Sequence, residues 1–128
     1  MKQHYLRPDG LPPTNGYSHA VAHDGRMVVV SGQVPLDEAG NLVGASNAEQ
    51  QTAQVFRNIT SALAAAGVGL DDVVKLTVYL TDRADLDAFR RARDRYIDPV
   101  RPPASSLVLV AGLINPDFRV EIDAFAAV

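Results

Sequence analysis

Two uninterrupted apolar runs, Val28-Val29-Val30 and Leu107-Val108-Leu109-Val110, constrain this chain more than any other feature. Side chains on a strand alternate between its two faces, so a strand without polar alternation needs both faces out of water. The fold must therefore contain a sheet covered on two sides, and a chain of 128 residues has to find the covers. That length fits one domain, expected to span residues 1–128.

The elements available as covers are few. Residues 1–16, with Pro8, Gly10, Pro12, Pro13 and Gly16, read as an irregular N-terminal arm. Tyr17 to Ala22 alternates loosely, and Asp24-Gly25 signals a hairpin into a strand Met27 to Ser31, closed by Gly32. Ser46 and Glu49 have capping-box spacing ahead of Val55, Ile59, Leu63 and Ala66, which recur at helical intervals until Gly67. Val73 to Leu80 alternates strictly, with Val74, Leu76, Val78 and Leu80 on one face. Thr81-Asp82 offers caps for a second helix along Leu86, Phe89, Ala92 and Tyr96, ended by Pro99, Pro102 and Pro103. Strands over Ser106–Ala111 and Arg119–Ala127 follow, joined around Asn115-Pro116-Asp117. The order is ββαβαββ, an α/β (α+β) domain with a mixed sheet. Its two helices cover one face of the sheet, and no segment remains for the other. Self-association into a closed, symmetric oligomer is the simplest cover.

Composition excludes several kinds of function. With no cysteine there is no thiolate nucleophile, disulfide or Cys-ligated zinc. The net charge of −3 gives no general attraction to nucleic acid. No apolar run approaches the ~18–20 residues that span a bilayer. Met1 to Pro8 lacks the apolar core of a signal peptide, so a cytoplasmic location is expected. His19 and His23, on a strand, stand ~13 Å apart, too far for one metal ion, and no cofactor is expected. Arg83, Arg90, Arg91, Arg93, Arg95 and Arg101 cluster around the second helix. Asp82, Asp85, Asp87 and Asp94 interleave with them at spacings of three or four, which reads as a salt-bridged solvent face rather than an RNA surface.

Several stretches carry a resemblance. Gly16-Tyr17-Ser18-His19-Ala20-Val21, then Val30-Ser31-Gly32-Gln33-Val34-Pro35-Leu36, and Asp71 to Asp82 (DDVVKLTVYLTD), resemble in order the segments of the Rid (RidA/YjgF-like) family. Val120-Glu121-Ile122-Asp123-Ala124-Phe125-Ala126 is similar to that family's closing strand. The resemblance implies a chorismate-mutase-like fold and a homotrimer with a central barrel of sheets and a metabolite cleft between neighbouring subunits. It further implies hydrolysis of reactive enamines and imines, such as 2-aminoacrylate, to keto acids and ammonia. In those terms Glu121 orients the water, Tyr17 closes the cleft, and Ser31 with Gly32 forms part of its floor.

One departure stands out. Where active deaminases of the family carry Pro-Ala-Arg-Ser, this chain has Pro103-Ala104-Ser105-Ser106, so Ser105 replaces the arginine that grips a substrate carboxylate. Each lost charge-assisted bond is worth about 1.5–3 kcal/mol, a ten- to hundredfold loss for a carboxylate-bearing imine. A second-helix position that is often Asn in the family is Arg90. Three readings stay open: an electrophile lacking a carboxylate or holding it differently, a cleft that binds a metabolite without turnover, or a compensating arginine. Arg101 is the nearest in sequence for the last. Relatives described as ribonucleases or translation inhibitors make an RNA-directed activity a further alternative.

Overall fold

A computed structural model describes residues 1–128. The strands are β1 (Lys2–Tyr5), β2 (Ala20–His23), β3 (Met27–Gln33), β4 (Val73–Leu80), β5 (Ala104–Leu109) and β6 (Val120–Ala127). The helices are α1 (Ala48–Ala65), between β3 and β4, and α2 (Leu86–Arg93), between β4 and β5. The main sheet has the order β3-β6-β4-β5, antiparallel except for the β4–β5 pair. A parallel pair needs a crossover connection, and α2 lies in it.

The mixed sheet with two helices is as the sequence implies. Leu76, Val78 and Leu80 are buried along one face of β4, as are Val120, Ile122, Ala124 and Ala126 on β6. Val73, and not the expected Val74, joins them in the core, because the β4–β6 register shifts between Val73 and Lys75. They meet Val55, Phe56, Ile59 and Leu63 of α1 and Phe89 of α2 in one core. Tyr96, just past α2, stacks on Phe56 with ring centroids 5.3 Å apart. No helix is long and apolar enough to cross a membrane.

The N-terminal third differs from expectation. The arm is not wholly irregular, because Lys2–Tyr5 forms β1 and pairs antiparallel with β2. Asp24-Gly25 makes no hairpin between β2 and β3, since β3 pairs with the C-terminal strand β6. The turn instead marks where the chain ends converge. Asp24 Oδ1 accepts from the N-terminal ammonium (2.5 Å), and Arg26 exchanges backbone hydrogen bonds with Val128 (2.7 and 2.9 Å). Helix α1 is capped by Asn47, whose side chain accepts from Gln50 N–H, and not by Ser46, which has φ of 55°. Asp82 caps a single 3₁₀ turn ahead of α2. Strand β5 runs from Ala104 to Leu109, two residues earlier at each end than the sequence suggests.

The first apolar run is covered on one face only. Val30 is buried, whereas Val29 is 67% exposed and lies opposite exposed Phe125 on the face away from the helices. Helix α2, with eight residues, also covers the edge strand β5 incompletely, and Leu107 and Leu109 remain exposed.

Candidate functional site

Tyr17 is positioned from two sides. The next residue, Ser18, is buried, and its hydroxyl donates to the Pro102 carbonyl (2.6 Å) while its N–H donates to Pro103 (2.9 Å). His4 Nδ1, carrying its proton, donates to the same Pro102 oxygen (2.8 Å), so the β1–β2 ribbon is moored to the start of β5. From the other side Arg93 of α2, only 7% exposed, donates to the Asn15 backbone carbonyl (3.0 Å) and to Asn15 Oδ1 (2.9 Å). Its guanidinium also pairs with Asp94 and lies 5.8 Å from the centre of the Phe89 ring. Gly16 has φ of +74°, and the Arg93 guanidinium fills the space a Cβ would take there, so only glycine fits.

Strand register puts Ser105 beside Leu76, hence on the helix-facing side of β5. There a cavity of about 260 Å³ opens between α2, β5 and the Tyr17 loop, lined by Tyr17, Ser105, Leu107, Leu86, Phe89 and Arg90, with Arg93 at its wall. Half-buried Arg90 makes no side-chain hydrogen bond or ion pair, unlike Arg93.

Glu121 lies elsewhere. It is the register partner of Tyr79 on the sheet face opposite the core, where Tyr79 donates its hydroxyl to Asp123 (3.1 Å). That bond and the charge of Asp123, followed by burial and the charge of Glu121, raise the Tyr79 phenol above its ordinary range. The register of β3 against β6 shifts between Val30 and Gln33, a bulge containing Ser31 and Gly32. Both bulge residues are exposed, and the Glu121 carboxylate occupies the space a side chain at Gly32 would need.

The chain thus brings Tyr17 together with Ser105, and Gly32 together with Glu121, but holds the two pairs on opposite faces with β4 between β5 and β6. Arg101 joins neither, being exposed in the turn before β5 and absent from the wall around Ser105. The sequence places Arg93 on a solvent face, whereas it is buried, and does not single out Asn15. A legible signal for Arg93 is its place on the apolar line of α2, one turn after Phe89.

The arginine-rich face is wired differently from expectation. Arg91 and Arg95 pair with Glu49 of α1 (2.8 and 2.9 Å), and Asp85 takes Arg119 (3.2 Å). Both arginines hold the Glu49 carboxyl below its ordinary range, Arg91 most. The expected lattice of Asp82, Asp85 and Asp87 with these arginines does not form, because packing against α1 offers Glu49 instead.

Comparison with known proteins agrees with this architecture. The family model Endoribonuclease L-PSP matches residues 8–128. The chain belongs to this family, the Rid proteins. A RutC family protein of Saccharolobus solfataricus is 38% identical over 98% of both chains. The 3-aminoacrylate deaminase RutC of Acinetobacter baylyi is 36% identical over the full length of both. Among solved structures, a Rid-family protein of unknown function from Yersinia pestis superposes with a TM-score of 0.87 at 31% identity, covering 99% of this chain and 98% of its own. RidA from an Antarctic Psychrobacter gives a TM-score of 0.75 at 33% identity, covering 98% and 100%.

Proposed function

We propose that this Rid protein hydrolyses small reactive enamines or imines in clefts between copies of itself, as a homotrimer and without a cofactor. The observation that carries the reading is the division of the candidate residues into two half-sites on opposite faces of one sheet. Neither half is complete, and the face bearing Glu121 also exposes Val29 and Phe125. Packing that face against a neighbouring copy covers its apolar surface and brings Glu121 and Gly32 of one copy toward Tyr17 and Ser105 of the next. The family relation to a 3-aminoacrylate deaminase supports the same chemistry.

In this reading the enamine tautomerises to the imine, and water adds to the imine carbon as Glu121 takes its proton and returns it to the nitrogen. The carbinolamine then passes its hydroxyl proton to the nitrogen as the C–N bond breaks, releasing ammonia and leaving a carbonyl. Positioning supplies most of the rate.

The test generates 2-aminoacrylate and 3-aminoacrylate in situ and compares wild type with Glu121→Ala. Turnover that disappears with Glu121 supports the hydrolase. Binding of the metabolites without turnover favours the second reading, a non-catalytic metabolite-binding trimer, which rests on Ser105 standing where an arginine is usual.

A further inference from the structure

We infer that Arg90 is the anion anchor of the Ser105 cavity and that the cavity selects small carboxylates. The inference deepens the functional reading above and rests on it for the identity of the site.

The argument starts from charge. Two guanidinium groups border the cavity and no carboxylate lines it. Arg93 is committed, donating to both oxygens of Asn15 and to Asp94. Arg90 has no such partner, although it is half-buried and its surroundings include Leu86, Phe89 and Leu107. A cation held against apolar walls gains most from an anion that can take two parallel N–H bonds, and a carboxylate does so. Tyr17 and Ser105 line the same space, and a hydroxyl can donate to the remaining lone pairs.

Size sets the class further. A cavity of about 260 Å³ falls just below the ~300–1,000 Å³ of ordinary ligand pockets, which suits an acid of a few carbons and not a nucleotide. The anchor therefore enters from α2, across the cavity from β5.

Pyruvate and its neutral counterpart pyruvamide serve as probes, titrated into the assembled protein by calorimetry or NMR. Pyruvate is expected to bind wild type at least tenfold more tightly than pyruvamide. Arg90→Gln is expected to lose about ten- to a hundredfold in pyruvate affinity with pyruvamide unchanged. Arg90→Lys should retain part of the preference, and Ser105→Arg in the Arg90→Gln background should restore it from the other wall, which a purely structural role for Arg90 does not allow. Equal binding of the two probes to wild type, or unchanged pyruvate affinity in Arg90→Gln, overturns the inference. Arg90-dependent pyruvate binding in a protein with no turnover leaves the anchor standing and removes only the hydrolase. Turnover of acrylates indifferent to Arg90 does the reverse.

Discussion

The carboxylate of Glu121 lies across Gly32, in the space where any larger residue would place its Cβ. Gly32 has no left-handed backbone requirement, so the glycine is there for clearance and not for conformation. Gly32→Ala should leave the fold intact and push the Glu121 side chain aside. In the proposed hydrolysis kcat is expected to fall about 10- to 100-fold, since a displacement near 1 Å is enough for that. Thermal denaturation and steady-state kinetics on the same sample check it, with Tm nearly unchanged and kcat reduced.

Val29 and Phe125 are register partners across β3 and β6, and both side chains stand on the uncovered sheet face. Val29→Glu places a carboxylate in the middle of that surface. If copies of the chain shelter one another there, burying the charge unpaired costs several kcal/mol. Association should weaken by at least about a hundredfold. Light scattering after size exclusion should show a trimer for wild type and folded monomers for the variant, with turnover lost in step. A wild-type monomer at micromolar concentration contradicts the intersubunit cleft.

How far the sequence could be read depended on whether a signal was local. Val73 to Leu80 announces its strand, and its buried face from Leu76 onward, through alternation alone, and Gly67 marks the end of α1; the register shift that puts Val73 rather than Val74 in the core is not local. The partner of β3 was not local. Asp24-Gly25 between two apolar stretches looked like a hairpin, yet β3 pairs with β6 at the far end of the chain, and only the closing of both termini around Arg26 and Val128 explains the turn. The bulge at Ser31-Gly32 depends on that pairing and was equally hidden. The same limit governed the site. Nearness in sequence points from Ser105 to Arg101, whereas the crossover through α2 brings Arg90 to Ser105 in space.

Arg93 ties α2 to the loop that carries Tyr17, through Asn15 and the space left by Gly16. Arg93→Ala removes these bonds and leaves the Asn15 carbonyl without its protein donor. With hydrogen bonds to a charged group worth about 1.5–3 kcal/mol each, partly recovered by water, a loss of about 2–4 kcal/mol in stability is expected. Urea denaturation measures it. The Tyr17 loop should also become more protease-sensitive than the core, which distinguishes a loosened loop from general destabilisation.

Acid stability offers a separate check on how β1 is held. The Gly69 N–H bond to Asp72, and then the Lys2 ammonium at 3.1 Å, hold the Asp72 carboxyl below its ordinary value. A carboxyl depressed in the folded state binds its proton less readily than in the unfolded chain. Its contribution is therefore complete above the unfolded pKa of about 4 and is lost as pH falls through the lower folded value. Asp72→Asn should be less stable than wild type at neutral pH, with the gap narrowing as pH is lowered below about 4. Because Lys2 also donates to the Ala127 carbonyl (2.6 Å), the variant should keep β1 partly docked. Hydrogen exchange at residues 2–5 should quicken while β4 and β6 stay protected; equal quickening across the sheet would show that Asp72 supports the whole fold and not this strand.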